Sequence, residues 1–231
     1  SAIPVSVALS MRTDFIDDCT AYTRLNEAIN AGYYLVPRME DEEKRLAITG
    51  PLEKRGVAIS EDLILRLLTD VGDDPDQLPI MQHALMRTYD YWSTYKIGDE
   101  PIGISHYEAI GTMTEALSVH CEEIFAELKH PYLQLIAEKT FKALTDFGTD
   151  SRGTRRPVKL SALCVLSEAR KEDVVNVIDQ FRESGRAFLR PSYDTDLEED
   201  TTVDISHESI MRVWKRLRKW VDEERQSSQL Y

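Results

Sequence analysis

The sequence is poor in the residues that define small extracellular or fibrous folds. Cysteine occurs three times among 231 residues, glycine ten times and proline nine times. Cys19, Cys121 and Cys164 are widely spaced and set in apolar-periodic segments. They do not make a disulfide framework or a metal knuckle and read as buried free thiols. Low glycine and proline, with 42% hydrophobic and 30% charged residues, exclude collagen-like and disordered compositions. No apolar run approaches the roughly eighteen residues of a membrane helix, and no charged-then-apolar leader opens the chain. The expectation is a soluble, cytoplasmic protein. Positive charge is scarce too: 28 Lys and Arg face 41 Asp and Glu, a formal net charge of −13. Nucleic-acid affinity comes from cations displacing condensed counterions, so DNA binding would need a local basic face.

A complete phosphate-binding loop is also lacking. "GDEPIGIS" sets Gly98 and Gly103 at the right separation, but Ile104 stands where the motif requires lysine. Asp99 and Glu100 inside the loop would repel a phosphate. His207-Glu208 opens like a zinc-protease helix, yet Met211 occupies the position of the second ligand. "DTDLEED" suggests a calcium loop, but Glu199 and Ile205 replace its glycine and its final glutamate. These departures exclude a self-sufficient ATPase, a zincin and an EF-hand. They leave no catalytic residue and no metal ligand to nominate.

What is present is mainly helical, with a small β component. Ile3 to Met11 is an apolar, β-rich run that reads as a buried strand, followed by Asp14, Asp17 and Asp18 and by a helix closing at Gly32. "YYLVP" reads as a second strand, giving a βαβ-sized unit too small to close a doubly wound sheet. From Glu40 to about Lys129 apolar residues recur at three and four residues, punctuated by Pro51, Gly72 and Pro75, which predicts an all-helical middle. The last hundred residues predict a long helix, a polar loop at 149–156, a helix pair and a hairpin from "AFLRPSY" and "TTVDIS". That succession describes a winged helix. The final helix is expected to start after Ser206 as its cap, with Ile210, Trp214, Leu217 and Val221 on one face.

A winged helix invites a DNA-binding reading, in which the helical middle dimerises. The helix before the wing carries Glu172, Asp173, Asp179 and Glu183 against Lys171, Arg182 and Arg186, and the wing tip is acidic. Arg212, Lys215, Arg216, Arg218 and Lys219 form a basic stretch of the kind that usually flanks an amphipathic helix. Two anion contacts stand out instead. Arg12 ends the opening strand, where open α/β sheets place ligand groups, although it could equally pair with Asp14 or Asp17. His207 is expected at a helix N-terminus, where an imidazole can meet an anion or simply cap and pack.

Read together, "SMRTDF", "YYLVPRM", "GDDPDQLPIMQHALMR", "ISHYEAIG" and "VDISHESIMRVWKRLRKWV" resemble, in the same order, motifs of the STAND class of signal-transducing P-loop NTPases. The resemblance is closest to the bacterial novel STAND group, often fused to WD-repeat arrays, and spans essentially the whole chain. It implies three parts: 1–37, the C-terminal edge of an AAA-like α/β NTPase sheet; 38–129, a helical lid; and 130–231, a winged helix. It implies that Arg12 senses the γ-phosphate of ATP and that Pro79 packs against the adenine-ribose edge. Gln77 and Leu78 precede Pro79 where relatives carry Gly-x-Pro. In "ISHES", Ser206 and Glu208 replace the Met and Asp of the Met-His-Asp motif, and His207 would touch the ADP β-phosphate. The P-loop and the Mg-binding strand would lie upstream and a sensor or repeat domain downstream. This chain would then be the regulatory part of a nucleotide switch that holds ATP or ADP with Mg in the intact parent protein and controls its opening and oligomerisation. A protein-interaction scaffold without nucleotide is the remaining alternative.

Overall fold

The structure, a computed structural model, describes residues 7–11, 16–73, 77–146 and 153–228. It is mainly α-helical with two small sheets. The chain divides into two compact units, Ser1–Met39 and Glu40–Tyr231.

In the first unit a 3-10 turn at Asp17–Ala21 leads into α1, Thr23–Gly32. The helix ends at the glycine expected to stop it. The two expected strands do not form among the described residues. Val7 to Met11 and Tyr33 to Pro37 run without ladder partners, and Val7, Leu9, Tyr34 and Val36 are exposed. An isolated extended segment has nowhere to place its backbone hydrogen bonds except water, so apolar β-rich composition alone does not make a strand. Cys19 is buried, with its thiol 3.7 Å from Met11 Sδ.

The second unit opens with α2, Asp41–Glu53, whose start is tied by the Glu40 amide donating to the Glu43 carboxylate at 2.9 Å. Pro51 does not break this helix; it sits in the last turn. Four further helices follow: α3 at Glu61–Val71, α4 at Leu78–Tyr95, α5 at Ile104–Ala109 and α6 at Thr112–Glu127. Gly72 terminates α3 at φ +55°, a conformation that a Cβ would strain. Pro75 lies outside the described residues.

The remainder comprises α7 (Pro131–Ala143), β1 (Thr145–Asp146), β2 (Thr154–Arg155), β3 (Val158–Lys159), α8 (Leu160–Ser167), α9 (Lys171–Arg182), β4 (Leu189–Arg190), β5 (Thr202–Ile205), α10 (Ser209–Val213) and α11 (Lys215–Ser228). The expected hairpin is present as antiparallel β4 and β5, and β3 adds to the other side of β5. β1 and β2 form a separate two-stranded ladder. The expected single C-terminal helix is two. The backbone leaves helical geometry at Trp214, ψ 102°, between α10 and α11. Ser206 is not a cap; its hydroxyl makes no hydrogen bond, and the first helical residue is Ser209.

Two hydrophobic cores meet within α6. One gathers α2 to α5 and the start of α6, around Ile48, Leu63, Leu67, Tyr107 and Ala116. The other runs from Leu117 through α7, α9 and the sheet to Trp214 and Val221. Phe141, Phe181 and Trp214 pack there edge-on or tilted at centroid distances of 4.8 to 5.9 Å. Bending the chain at Trp214 lets that indole reach this cluster while its Nε1 donates to Glu122 of α6 at 2.7 Å.

Candidate functional site: a histidine and arginine cleft

Pro79 lies in the first turn of α4, where its missing N–H costs nothing and its fixed φ suits the helix. It is half-buried. One turn further along, His83 points toward α6, where His120 is buried at 6% exposure. His83 Nε2 and His120 Nδ1 are 3.3 Å apart, so one ring donates to the other. The imidazoles stack at 5.2 Å, and Phe188, on the approach to β4, packs against both at 5.1 to 5.2 Å. Burial, then Arg87 and His207, pushes His83 down to about 4. Burial, then Arg87, His83 and Arg186, pushes His120 down to about 3. Both rings are therefore neutral near neutral pH.

The β4–β5 ladder supplies the facing wall. Leu189 pairs with Ile205 and Arg190 with Asp204, while the Ser206 amide donates to the Phe188 carbonyl at 2.9 Å. Side chains alternate along a strand, so Leu189, Val203 and Ile205 enter the core, and Arg190 and Asp204 share the opposite face. Phe188, just before β4, is part of that core and carries it to His83 of α4 and His120 of α6. Arg155 of β2 donates to Asp204 Oδ2 at 2.7 Å and to the Ile205 carbonyl at 3.3 Å, and its Nε lies 3.9 Å from Glu208.

His207 lies two residues beyond the end of β5 and is solvent-exposed. Partial burial, then the Arg190 and Arg155 guanidiniums, holds it below the usual histidine range. It stands two residues before α10, a five-residue helix, so the helix-dipole setting expected from the sequence is absent. The field that an anion would feel comes from arginines instead. Of these, Arg155 is paired with Asp204 at 2.7 Å and lies 3.9 Å from Glu208.

Of the three residues singled out in the sequence, Arg12 lies outside the described residues. Pro79 and His207 are brought to related positions: Pro79 opens the helix whose His83 lies within electrostatic reach of His207. His83, His120, Arg155 and Arg190 were not anticipated. A signal existed for His120, since it occupies an apolar-stripe position beside Ala116, Leu117 and Ile124, and for His83, one turn beyond the proline. Nothing local marked Arg155 or Arg190, whose placement depends on β2 and β4 meeting β5.

Two other readings gain nothing. Among the described residues no group of three or more His, Cys, Asp or Glu side chains is placed to hold a metal ion. The basic C-terminal stretch is largely consumed by carboxylates: Lys215 pairs with Glu115 at 2.7 Å, Arg216 with Glu122 at 2.6 Å and Lys219 with Glu223 at 3.7 Å. An open groove of about 350 Å³ toward the far end of α4 is lined by Tyr91, Thr94, Tyr95 and Val119, with the Arg87–Glu123 ion pair at its edge. No described helix is long and apolar enough to cross a membrane.

Comparison with known proteins finds no match among curated proteins or solved structures. The family model described as Novel STAND NTPase 1 matches residues 1–231, every position from first to last. The chain belongs to the novel STAND NTPase 1 family.

Proposed function

We propose that this chain is the regulatory part of a STAND-type ATP/ADP switch in cytoplasmic signal transduction. The observation that supports the reading is that His207, with Arg190 and Arg155 as charged neighbours, lies within electrostatic reach of His83, one turn along the helix that Pro79 opens. In this reading residues 1–37 belong to the edge of an NTPase sheet, 38–129 form the lid and 130–231 a winged helix with β4 and β5 as its wing. The phosphate-binding loop and the Mg site belong to an upstream part of the same protein.

ADP held by that loop would place its adenine-ribose edge at Pro79 and its β-phosphate at His207, tying lid to winged helix in a closed state. ATP, read by Arg12, would favour the open state that oligomerises, and a C-terminal sensor or repeat domain would set the threshold. A ligand shifts such an equilibrium only by its differential affinity for the two states. His207 fits the role because it offers a donor without a fixed charge, and an arriving phosphate would favour its protonated form.

The test is nucleotide content. Intact protein, purified and denatured, should release ADP. Release of no nucleotide would overturn the switch and leave a protein-interaction module.

A further inference from the structure

Beyond the histidine pair, one face of α4 carries Arg87, Asp90, Tyr91, Thr94 and Tyr95, which recur at three and four residues and so lie along one side of the helix. With Val119 and Glu123 of α6, and Ile110 where α5 ends, they line the open groove of about 350 Å³. Val119 offers it apolar surface, 40% exposed. Tyr91 and Tyr95 lie ring beside ring with centroids 4.6 Å apart, and Tyr95 is 64% exposed. The charges of the groove do not balance. Arg87 is committed to Glu123 at 2.6 Å, whereas the Asp90 carboxylate accepts no hydrogen bond and forms no ion pair among the described residues. Partial burial pushes the Asp90 carboxyl above its usual range, with Arg87 pulling the other way.

We propose that this groove is a docking site for a basic segment of a partner protein, which lays one arginine side chain between Asp90 and the tyrosine pair. Arginine fits both the charge and the lining. Its methylene stem covers Val119 and Ile110, and its planar guanidinium stacks on a tyrosine ring while donating to the Asp90 carboxylate. An aliphatic side chain would bury Asp90 further without a partner, and an acidic one would meet a like charge. Asp90 keeps access to solvent, so the ion pair is modest and suits a reversible contact. A net charge of −13 draws a basic segment toward the chain, and the aromatic pair with Asp90 fixes where it settles. The site lies toward the end of α4 opposite Pro79 and does not depend on the nucleotide reading.

The test follows the tyrosine ring resonances of this chain while the capped peptide acetyl-Leu-Arg-Leu-amide is added through the millimolar range. The Tyr91 and Tyr95 signals should move and saturate, while the Trp214 indole N–H, bonded to Glu122, stays in place and reports an unchanged fold. The same peptide with citrulline, which keeps the shape of arginine and loses its charge, should bind roughly fivefold more weakly. Asp90→Asn should weaken the arginine peptide roughly fivefold and Tyr95→Ala roughly threefold. Both residues are exposed, so neither variant should disturb folding. Asp196→Asn, which removes an exposed charge from the loop between β4 and β5, should leave the titration unchanged.

Unmoved Tyr91 and Tyr95 signals, equal binding of the arginine and citrulline peptides, or an Asp90→Asn titration identical to wild type each overturn the site. A loss in Asp196→Asn as large as that in Asp90→Asn would reduce the effect to the overall charge of the chain and overturn it too. Self-association of the chain without peptide, abolished by Asp90→Asn, would give the groove to a second copy and overturn the partner.

Discussion

Two sets of histidines lie within one cleft and have opposite environments. His83 and His120 are stacked, bonded to each other and packed on Phe188. His207 is open to solvent, with Arg190 and Arg155 among its charged neighbours. The first pair shares a ring-to-ring hydrogen bond and stabilises the junction of α4, α6 and the approach to β4. The chain therefore sets a structural pin beside an exposed histidine flanked by arginines, and substitutions should separate them.

The largest effect should come from the pin. Phe188 is 2% exposed and packs on both rings, so Phe188→Ala removes aromatic contact and leaves a cavity. A loss of about 3–5 kcal/mol is expected in urea unfolding. A loss below about 1 kcal/mol would mean that the ring contacts are incidental.

Acid should act on the pin next. The folded pKa values of His83 and His120 are depressed to about 4 and about 3, from 6.5 in the unfolded chain. Between those values the unfolded state binds more protons than the folded one, so stability is full above about pH 6.5 and erodes as pH falls toward 4 and then 3. His120→Asn should flatten that slope in a pH series of unfolding curves. An unaltered slope would place the acid sensitivity elsewhere.

A smaller effect belongs to the clasp that joins α6 to the C-terminal helices. Glu122 accepts from the Trp214 indole at 2.7 Å and from Arg216, whose guanidinium lies 4.3 Å above the Phe125 ring. Glu122 is partly exposed, so Glu122→Ala should cost about 1–2 kcal/mol, and high salt should reproduce only part of that cost. The smallest effect on stability should come from the open wall: His207→Ala or Arg190→Gln should change unfolding by less than about 0.5 kcal/mol. A large loss from either would assign the residue to the pin.

Much of this fold could be read from residue spacing. The three-and-four recurrence of apolar residues located α2 to α9, and Gly32 and Gly72 marked helix ends where they occur. The β4–β5 hairpin was visible as two β-rich runs flanking an acidic turn. β1, β2 and β3 were not, because two-residue strands carry no periodicity and exist only through their partners. The break at Trp214 was hidden because Trp214 continues the apolar stripe of Ile210, Leu217 and Val221 without a glycine or proline to announce it. In the N-terminal unit, composition suggested buried strands where the described residues are exposed. His207 was legible through its motif, but the His83–His120 pair and Arg190 require α4, α6 and the sheet to meet, and no local pattern encodes that meeting.

The central claim is that His207 holds a phosphate at the wall facing α4. The most direct measurement is ADP dissociation from the intact protein, compared between wild type and His207→Ala. The account predicts release roughly tenfold or more faster from the variant, with unchanged unfolding in the absence of nucleotide. Equal release rates from two equally stable proteins would contradict it.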